Sequence, residues 1–546
     1  MLDLVIRGGI VFDGTGAPGR SADIGIRGDR IVAVGDLSAV DPASVNVLSV
    51  TGRYVAPGFI DIHTHSDLTA LTLPGQNSAL QQGITTQVTG NCGLSAGLAG
   101  RGPEFNLERR GFRSDPDAAD KPAFMWDSLA EHLALIEQQG IGTNYITQSG
   151  HNTIRRRVMG VAHVDPSPEQ LDAMRALVRQ SIEEGAVAFT TGLEYVPGRY
   201  SRLPELVALA REAARLGAFY ATHLRSEGDE LVEAVREALE IGRQADIPVQ
   251  LSHHKAEGRE NWGIVEQTLQ MVEQARREGL DVSLDQYPYT AYMTGLGVVV
   301  LPAWAYAGGP EQLAQRLRDP AERDRLKAEI LARRPRWGDL GPDSGWHQLV
   351  ISSCRRHPEM EGRTIAQLAL EHGREPLDFV LDLLAESEPP YVGVVHFAMS
   401  ETDVRTVMRH PLTMIGSDAV ATSPESGGPT HPRCYGTFPR VLGRYVREEG
   451  VLTWAEAIYK MTGLPAKRLG LTRRGRIQPG FAADLVIFDP ATVIDRATFE
   501  QPHHYPDGIE HVLVNGVFAV REGRLTGALA GRVLRYGTCE FGPAGV

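Results

Sequence analysis

The 546 residues carry 42% hydrophobic and 23% charged side chains, a balance that excludes a disordered chain. No run of about 18 apolar residues occurs, so no membrane span is expected, and the start, MLDLVIRGG, lacks the basic and long apolar regions of a signal peptide. A net charge of −13 argues against nucleic-acid binding, and four widely spread cysteines make no disulfide framework, as suits a cytoplasmic protein.

The length allows roughly three to four domains of ~150 residues, although one α/β barrel absorbs 250 or more. Residues 1–55 alternate in short strand-like runs broken by glycines, and residues 469–546 look alike. Two short β-rich ends around an unlike middle are expected to form one small discontinuous domain, since neither alone could bury a core. Within the first of them, Gly14-Thr-Gly16-Ala-Pro-Gly19 spells G-x-G-x-x-G. The following ADIGIRGDRIVAV continues as strand, so this is a turn rather than a dinucleotide site.

The middle, residues 56–468, repeats strand then helix. GFIDIHTH, ITTQVTGNC, GTNYITQSG, AVAFTTGLEY, AFYATHLR, PVQLSHHK, DVSLDQYPY and LTMIGSD are eight candidate strands. Between the third and fourth, Ser167-Pro168-Glu169-Gln170 fits an N-cap with a capping-box Gln, and Leu171, Met174, Val178 and Ile182 share one helical face up to Gly185. Regular alternation implies a parallel sheet, and eight units imply a (β/α)8 TIM barrel; an open doubly wound sheet is the alternative. The spacing breaks at about 290–411, which must hold an insertion. Its Trp304, Trp337 and Trp346 either cover the site as a lid or form an aromatic core. Gly93-Leu-Ser95-Ala-Gly97 spells G-x-S-x-G, but a nucleophile elbow needs a helix immediately after, and residues 98–115 are loop-like. The segment after Asp418, with its Ser, Gly and Pro, is expected to be a shaped loop.

Metal-capable residues crowd the ends of these strands. Alternation puts Asp61, His63 and His65 on one face of the first. H-x-H alone is a weak signal. Four further strand ends offer Cys92, His223, His253 or His254, and Asp418, and barrel enzymes build their sites from such ends. Soft and borderline ligands of this kind suit zinc. Alternation does not decide between His253 and His254.

This ordered set resembles the amidohydrolase superfamily. The cysteine in G-N-C-G, the S-H-H-K run, Y-P-Y and the late H-P-R-x-x-G-T-F segment resemble its D-aminoacylase branch, the N-acyl-D-amino-acid deacylases, over nearly the whole chain. The resemblance implies a tightly held Zn²⁺ on Cys92, His223 and His253, and a weaker second site on His63, His65 and Cys92. The fourth strand has no lysine to bridge two metals, which leaves that role to Cys92. Asp418 is then the expected general base and acid, its alternative being a helix N-cap. Tyr195 is a candidate donor to the developing oxyanion, or else structural. Lys255, one of only five lysines, with Tyr287 and Arg433 matches positions that hold the substrate carboxylate. Glu194 and Tyr289 are candidates for supporting positions. The implied substrate is a small N-acyl amino acid; hydrolysis of a cyclic amide or dipeptide, and a non-catalytic scaffold, are the alternatives. Chirality does not follow from residue types.

Overall fold

The computed structural model describes residues 2–98, 126–338, 340–341, 344–387, 390–428, 430–543 and 545. Eight parallel strands run in chain order: Phe59–Asp61, Ile84–Thr89, Asn144–Thr147, Ala188–Gly192, Phe219–His223, Val249–Leu251, Val282–Gln286 and Thr413–Ile415, called strands one to eight below. Strands one, two and three pair as one arc, and strands four to eight as another. The arcs meet at two seams. Ser149–Gly150, which continues strand three, pairs with strand four. At the other seam a parallel bridge joins Thr64 to Ala419. Order never reverses along either arc, as it would at the switch point of a doubly wound sheet.

The strands are buried on both faces, as sheets between helices must be; all six residues of Ile84–Thr89 are buried. The helix Pro168–Glu183 starts at the expected capping box of Ser167 and Gln170 and buries Met174, Val178 and Ile182. Inside the strands, Ile60, Ile62, Val88, Ile146, Phe219 and Met414 form a core, and Leu469 and Leu534 pack against it. Cys92, Cys354, Cys434 and Cys539 are all free. No helix among the described residues is long and apolar enough to cross a membrane.

Strands from the two chain ends merge in one sheet. Leu485–Phe488 lies antiparallel to Tyr54–Pro57, so that Leu4–Val11, Arg20–Arg27 and Arg30–Gly35 continue on one side and Ile509–Val514 and Val517–Arg521 on the other. The expected boundary at residue 55 therefore falls inside a strand. The G-x-G-x-x-G run ends at the strand Arg20–Arg27, with no helix after it. Ser95 is buried, and its hydroxyl accepts from the backbone of Gly150. A three-residue 3-10 turn, Ala96–Leu98, follows it; the loop expected at 98–115 lies, from residue 99, outside the described residues.

The insertion has its own antiparallel sheet of Tyr292–Gly295, Gly393–His396 and Leu349–Ser353. Trp346 is fully buried and Trp337 nearly so in the core beneath that sheet, with Trp304 partly buried against it. The tryptophans are thus core, not lid. The last helix of the expected insertion, Glu401–Arg409, sends Val407 into the core of the main α/β unit, so it belongs to that unit's helical layer. After Asp418, the expected loop gives way to a helix at Arg433–Arg440 that continues through Val441–Glu448 in wider, π-helical turns. Pro439 removes one backbone donor within this run, which favours the altered bonding.

One core histidine makes a pH prediction. His132, on the helix Leu129–Gln139, is fully buried with its ring 4.6 Å from that of Trp126, and burial pushes its pKa down to about 4. Between pH 6.5 and 4 the unfolded chain therefore binds a proton that the native one refuses, so stability is intact above pH 6.5 and falls below it. The loss approaches about 3 kcal/mol at 1.36 kcal/mol per unit. His132→Leu should flatten the acid limb of denaturant-unfolding free energy by about that amount; an unchanged limb would assign acid lability elsewhere.

Candidate metal centre

The carboxyl ends of the strands converge. His63 and His65 follow strand one, Cys92 strand two, His223 ends strand five, His253 follows strand six and Asp418 strand eight. Cys92 Sγ lies 3.4 Å from His63 Nε2 and 3.4 Å from His253 Nε2. Ligand atoms of His63, His65, Cys92 and Asp418 lie within 4.8 Å of one another, and so do those of Cys92, His223 and His253. Cys92 belongs to both groups. His65 Nε2 is 3.0 Å from Asp418 Oδ1, and His63 Nε2 is 3.5 Å from the same oxygen.

Three of these residues leave ordinary backbone space to reach the cluster. Cys92, His253 and Asp418 have φ of 53°, 33° and 51°. Such left-handed geometry costs a non-glycine residue on the order of 1–3 kcal/mol and persists where the surroundings impose it. A Cβ on Gly192 would strike the carbonyl of Cys92, so only glycine lets strand four pass so close.

Carboxylates behind the cluster orient it. His63 Nδ1 is 2.9 Å from Asp285 Oδ1, and Asp285 also accepts from the backbone N–H of His253 at 2.8 Å and from Gln250 at 2.7 Å. His253 Nδ1 is 2.9 Å from Glu227 Oε1, leaving Nε2 toward Cys92. His223 Nε2 is 2.8 Å from Glu194, while its Nδ1 is buried with no hydrogen-bond partner among the described residues. Asp61 accepts from the backbone N–H groups of Ser417 and His63, tying strand eight to strand one.

Burial opposes the charges here, but their neighbours prevail. Burial raises the Cys92 thiol, yet His63, His253 and His65 hold it well below its usual value. Burial lowers the imidazoles, yet Cys92 and Asp418 bring His65 up to about 9, and Glu227, Cys92 and Glu194 bring His223 up to about 10. These shifts favour a thiolate and carboxylates facing protonated imidazoles at His65 and His223. A divalent cation would take the place of those protons, which is how metal binding releases them. A thiolate, several imidazoles, a buried unpartnered ring nitrogen and carboxylates behind the ligands make a donor set that fits zinc.

The sequence profile of the Amidohydrolase family matches residues 47–520. The chain belongs to that family. A D-aminoacylase from Alcaligenes xylosoxydans xylosoxydans is 39% identical over 534 residues, 97% of each chain. A D-aminoacylase structure described with a binuclear metal center matches at 38% identity and a TM-score of 0.81, over 98% of this chain and 100% of that one. An N-acyl-D-glutamate deacylase from Bordetella bronchiseptica, solved with zinc and a phosphonate mimic of the tetrahedral intermediate, matches at 35% identity and 0.79, over 98% and 99%.

For this amidohydrolase, the structure brings His63, His65, Cys92, His223, His253 and Asp418 together. His254 points the other way, its Nε2 2.8 Å from Thr268 on an outer helix. Asp418 caps no helix among the described residues. Tyr195 lines the cavity above the cluster, its ring 4.7 Å from that of His223. Lys255, Tyr287 and Arg433 line the same cavity. The two cations are already engaged: Lys255 Nζ donates to Glu227 at 2.6 Å and Arg433 Nη1 to Asp418 Oδ2 at 2.6 Å. Tyr287 Oη is buried and has no partner among the described residues. Tyr289 lies outside the cluster, beneath the guanidinium of Arg440. Sequence reasoning missed Asp285 and Glu227. Asp285 was open to the rule that found Asp418, a carboxylate ending a buried strand; Glu227 sits in a loop and carried no such mark.

Proposed function

We propose that this protein is a zinc-dependent hydrolase of N-acyl-D-amino acids, releasing a carboxylate and a free D-amino acid. The observation that carries this is Cys92 Sγ set 3.4 Å from both His63 Nε2 and His253 Nε2, with Asp418 beside His65. The D configuration rests on the relatives, since mirror-image substrates need the same residue types. In this proposal the two strand arcs are one closed (β/α)8 barrel, and the terminal segments, 1–55 and 469–546 with the rest of strand Tyr54–Pro57, are one β-rich domain.

Cys92, His223 and His253 would hold one zinc tightly, and His63, His65 and Cys92 a second one weakly. When bound, zinc supplies a nucleophilic water at neutral pH and polarises the scissile carbonyl. Asp418 takes the water's proton on Oδ1 and returns it to the leaving nitrogen, while Arg433 holds Oδ2 and so fixes the carboxylate's orientation. Tyr195 donates to the oxygen on which charge develops. Tyr287 Oη donates to the substrate carboxylate, with the charges of Lys255 and Arg433 beside its ring at 5.7 and 5.0 Å. An unpaired carboxylate entering this cavity would be costly without such donors.

A panel of N-acetyl-D- and L-amino acids, their methyl esters, dipeptides and hydantoins tests the assignment. The D-acids should be turned over and their esters poorly. In Tyr287→Phe, kcat/KM for the acid should fall about ten-fold, the low end for a hydrogen bond to a charged group, with little change for the ester. Preferential turnover of hydantoins, or equal rates for acid and ester in the wild type, would overturn it in favour of a cyclic-amide hydrolase.

A further inference from the structure

The cavity over the cluster measures about 1750 Å³, with the loop after strand six on one side and the insertion on another. At their junction sits Glu257, only 7% exposed yet lining the cavity. Its backbone N–H donates to the carbonyl of Glu227, which fixes it to the loop that also orients His253. Oε2 accepts from Tyr292 Oη at 2.9 Å. Oε1 accepts no hydrogen bond among the described residues; its nearest cation is Arg334, 3.8 Å away. That guanidinium is stacked over Trp337 at 4.6 Å and its side chain is 38% exposed, so it offers Oε1 charge without a hydrogen bond.

The neighbouring carboxylates each face a residue of the cluster. Glu194 faces His223, and Glu227 faces His253 and Lys255. Glu257 thus brings a buried carboxylate oxygen to the cavity wall with no donor on it among the described residues, and nothing in the proposed catalytic steps uses it. Burial and the charge of Glu194 bring its pKa up to about 7. The insertion presents Met293, Val299 and Tyr306 to the same space.

We propose that Glu257 sets the substrate class of this enzyme: the substrate side chain extends toward the insertion, and Glu257 selects one ending in an N–H donor, amide or cationic, and rejects an acidic one. An amide or cation would satisfy the open oxygen, whereas a second carboxylate would meet a like charge in a partly dry space. This inference rests on the deacylase reading.

N-acetyl-D-glutamine and N-acetyl-D-glutamate have the same shape and differ in charge, with N-acetyl-D-methionine as the uncharged reference. At about pH 9, where Glu257 is ionised, the wild-type enzyme should favour the glutamine substrate over the glutamate one by about a hundred-fold in kcat/KM, the cost of bringing a second carboxylate to it or of protonating it. Glu257→Gln should shrink that ratio at least about ten-fold and change the methionine substrate less than about three-fold. A ratio unchanged by the substitution, or a wild type that prefers glutamate because Arg334 governs the subsite, would overturn the inference. The wild-type ratio decides the matter even where the variant fails to fold. No turnover of any of the three by zinc-loaded enzyme would overturn the deacylase reading itself; turnover with the wrong ratio would overturn the Glu257 assignment alone.

Discussion

Asp418→Asn is expected to fold, keep its zinc and lose about two to four orders of magnitude in turnover, the range for a positioned general base and acid. The side chain keeps its shape but no longer accepts a proton at Oδ1, the oxygen 3.0 Å from His65 Nε2. Arg433 donates to the other oxygen, Oδ2, and keeps an acceptor in the variant when the amide's carbonyl oxygen takes that position. Zinc content, melting temperature and kcat measured on one preparation separate the outcomes. Near-normal turnover in a zinc-loaded variant would mean that another group moves the proton.

Cys92→Ala is expected to deplete metal at both positions, because its sulfur belongs to both donor groups. The drop in affinity at the tight position should exceed the roughly 10- to 100-fold that removing a supporting partner behind a ligand costs. His63→Ala, by contrast, should keep the tight zinc and lose the weak one. A second readout needs no substrate: ligand binding to the native state alone raises the melting temperature. Added zinc should therefore raise it for wild type and hardly at all for Cys92→Ala. Full zinc retention in that variant would remove Cys92 from the ligand set.

Much of this site was legible because its signals are local. Strand–helix alternation and capping follow from periodicity within ten or fifteen residues, so Ser167 and Gln170, Met174 and Val178 fall where the pattern puts them. His63, His65, Cys92, His223 and Asp418 each sit at or just past the end of such a run, and a parallel sheet brings those ends to one face. The insertion was visible as a break in spacing.

What remained undecided lies where chain geometry departs from its local rule. Alternation cannot choose between His253 and His254, since strand six ends at Leu251 and His253 then turns into left-handed space. Tertiary structure decides it: Thr268 takes His254, while Asp285 and Glu227 fix His253 toward Cys92. The tryptophans of the insertion became core because a three-stranded sheet closes over them, a pairing between segments about a hundred residues apart. Arg433 reaches Asp418, and Glu257 meets Tyr292, because loops from different strands fold toward one cavity. The sequence by itself determined the order of elements and the strand ends that carry metal-capable side chains, all written in short-range patterns of burial and spacing. Only the tertiary structure decided which histidine faces the sulfur, which carboxylates hold the ligands in place and which cations are already paired, because those contacts depend on sheet register and loop convergence.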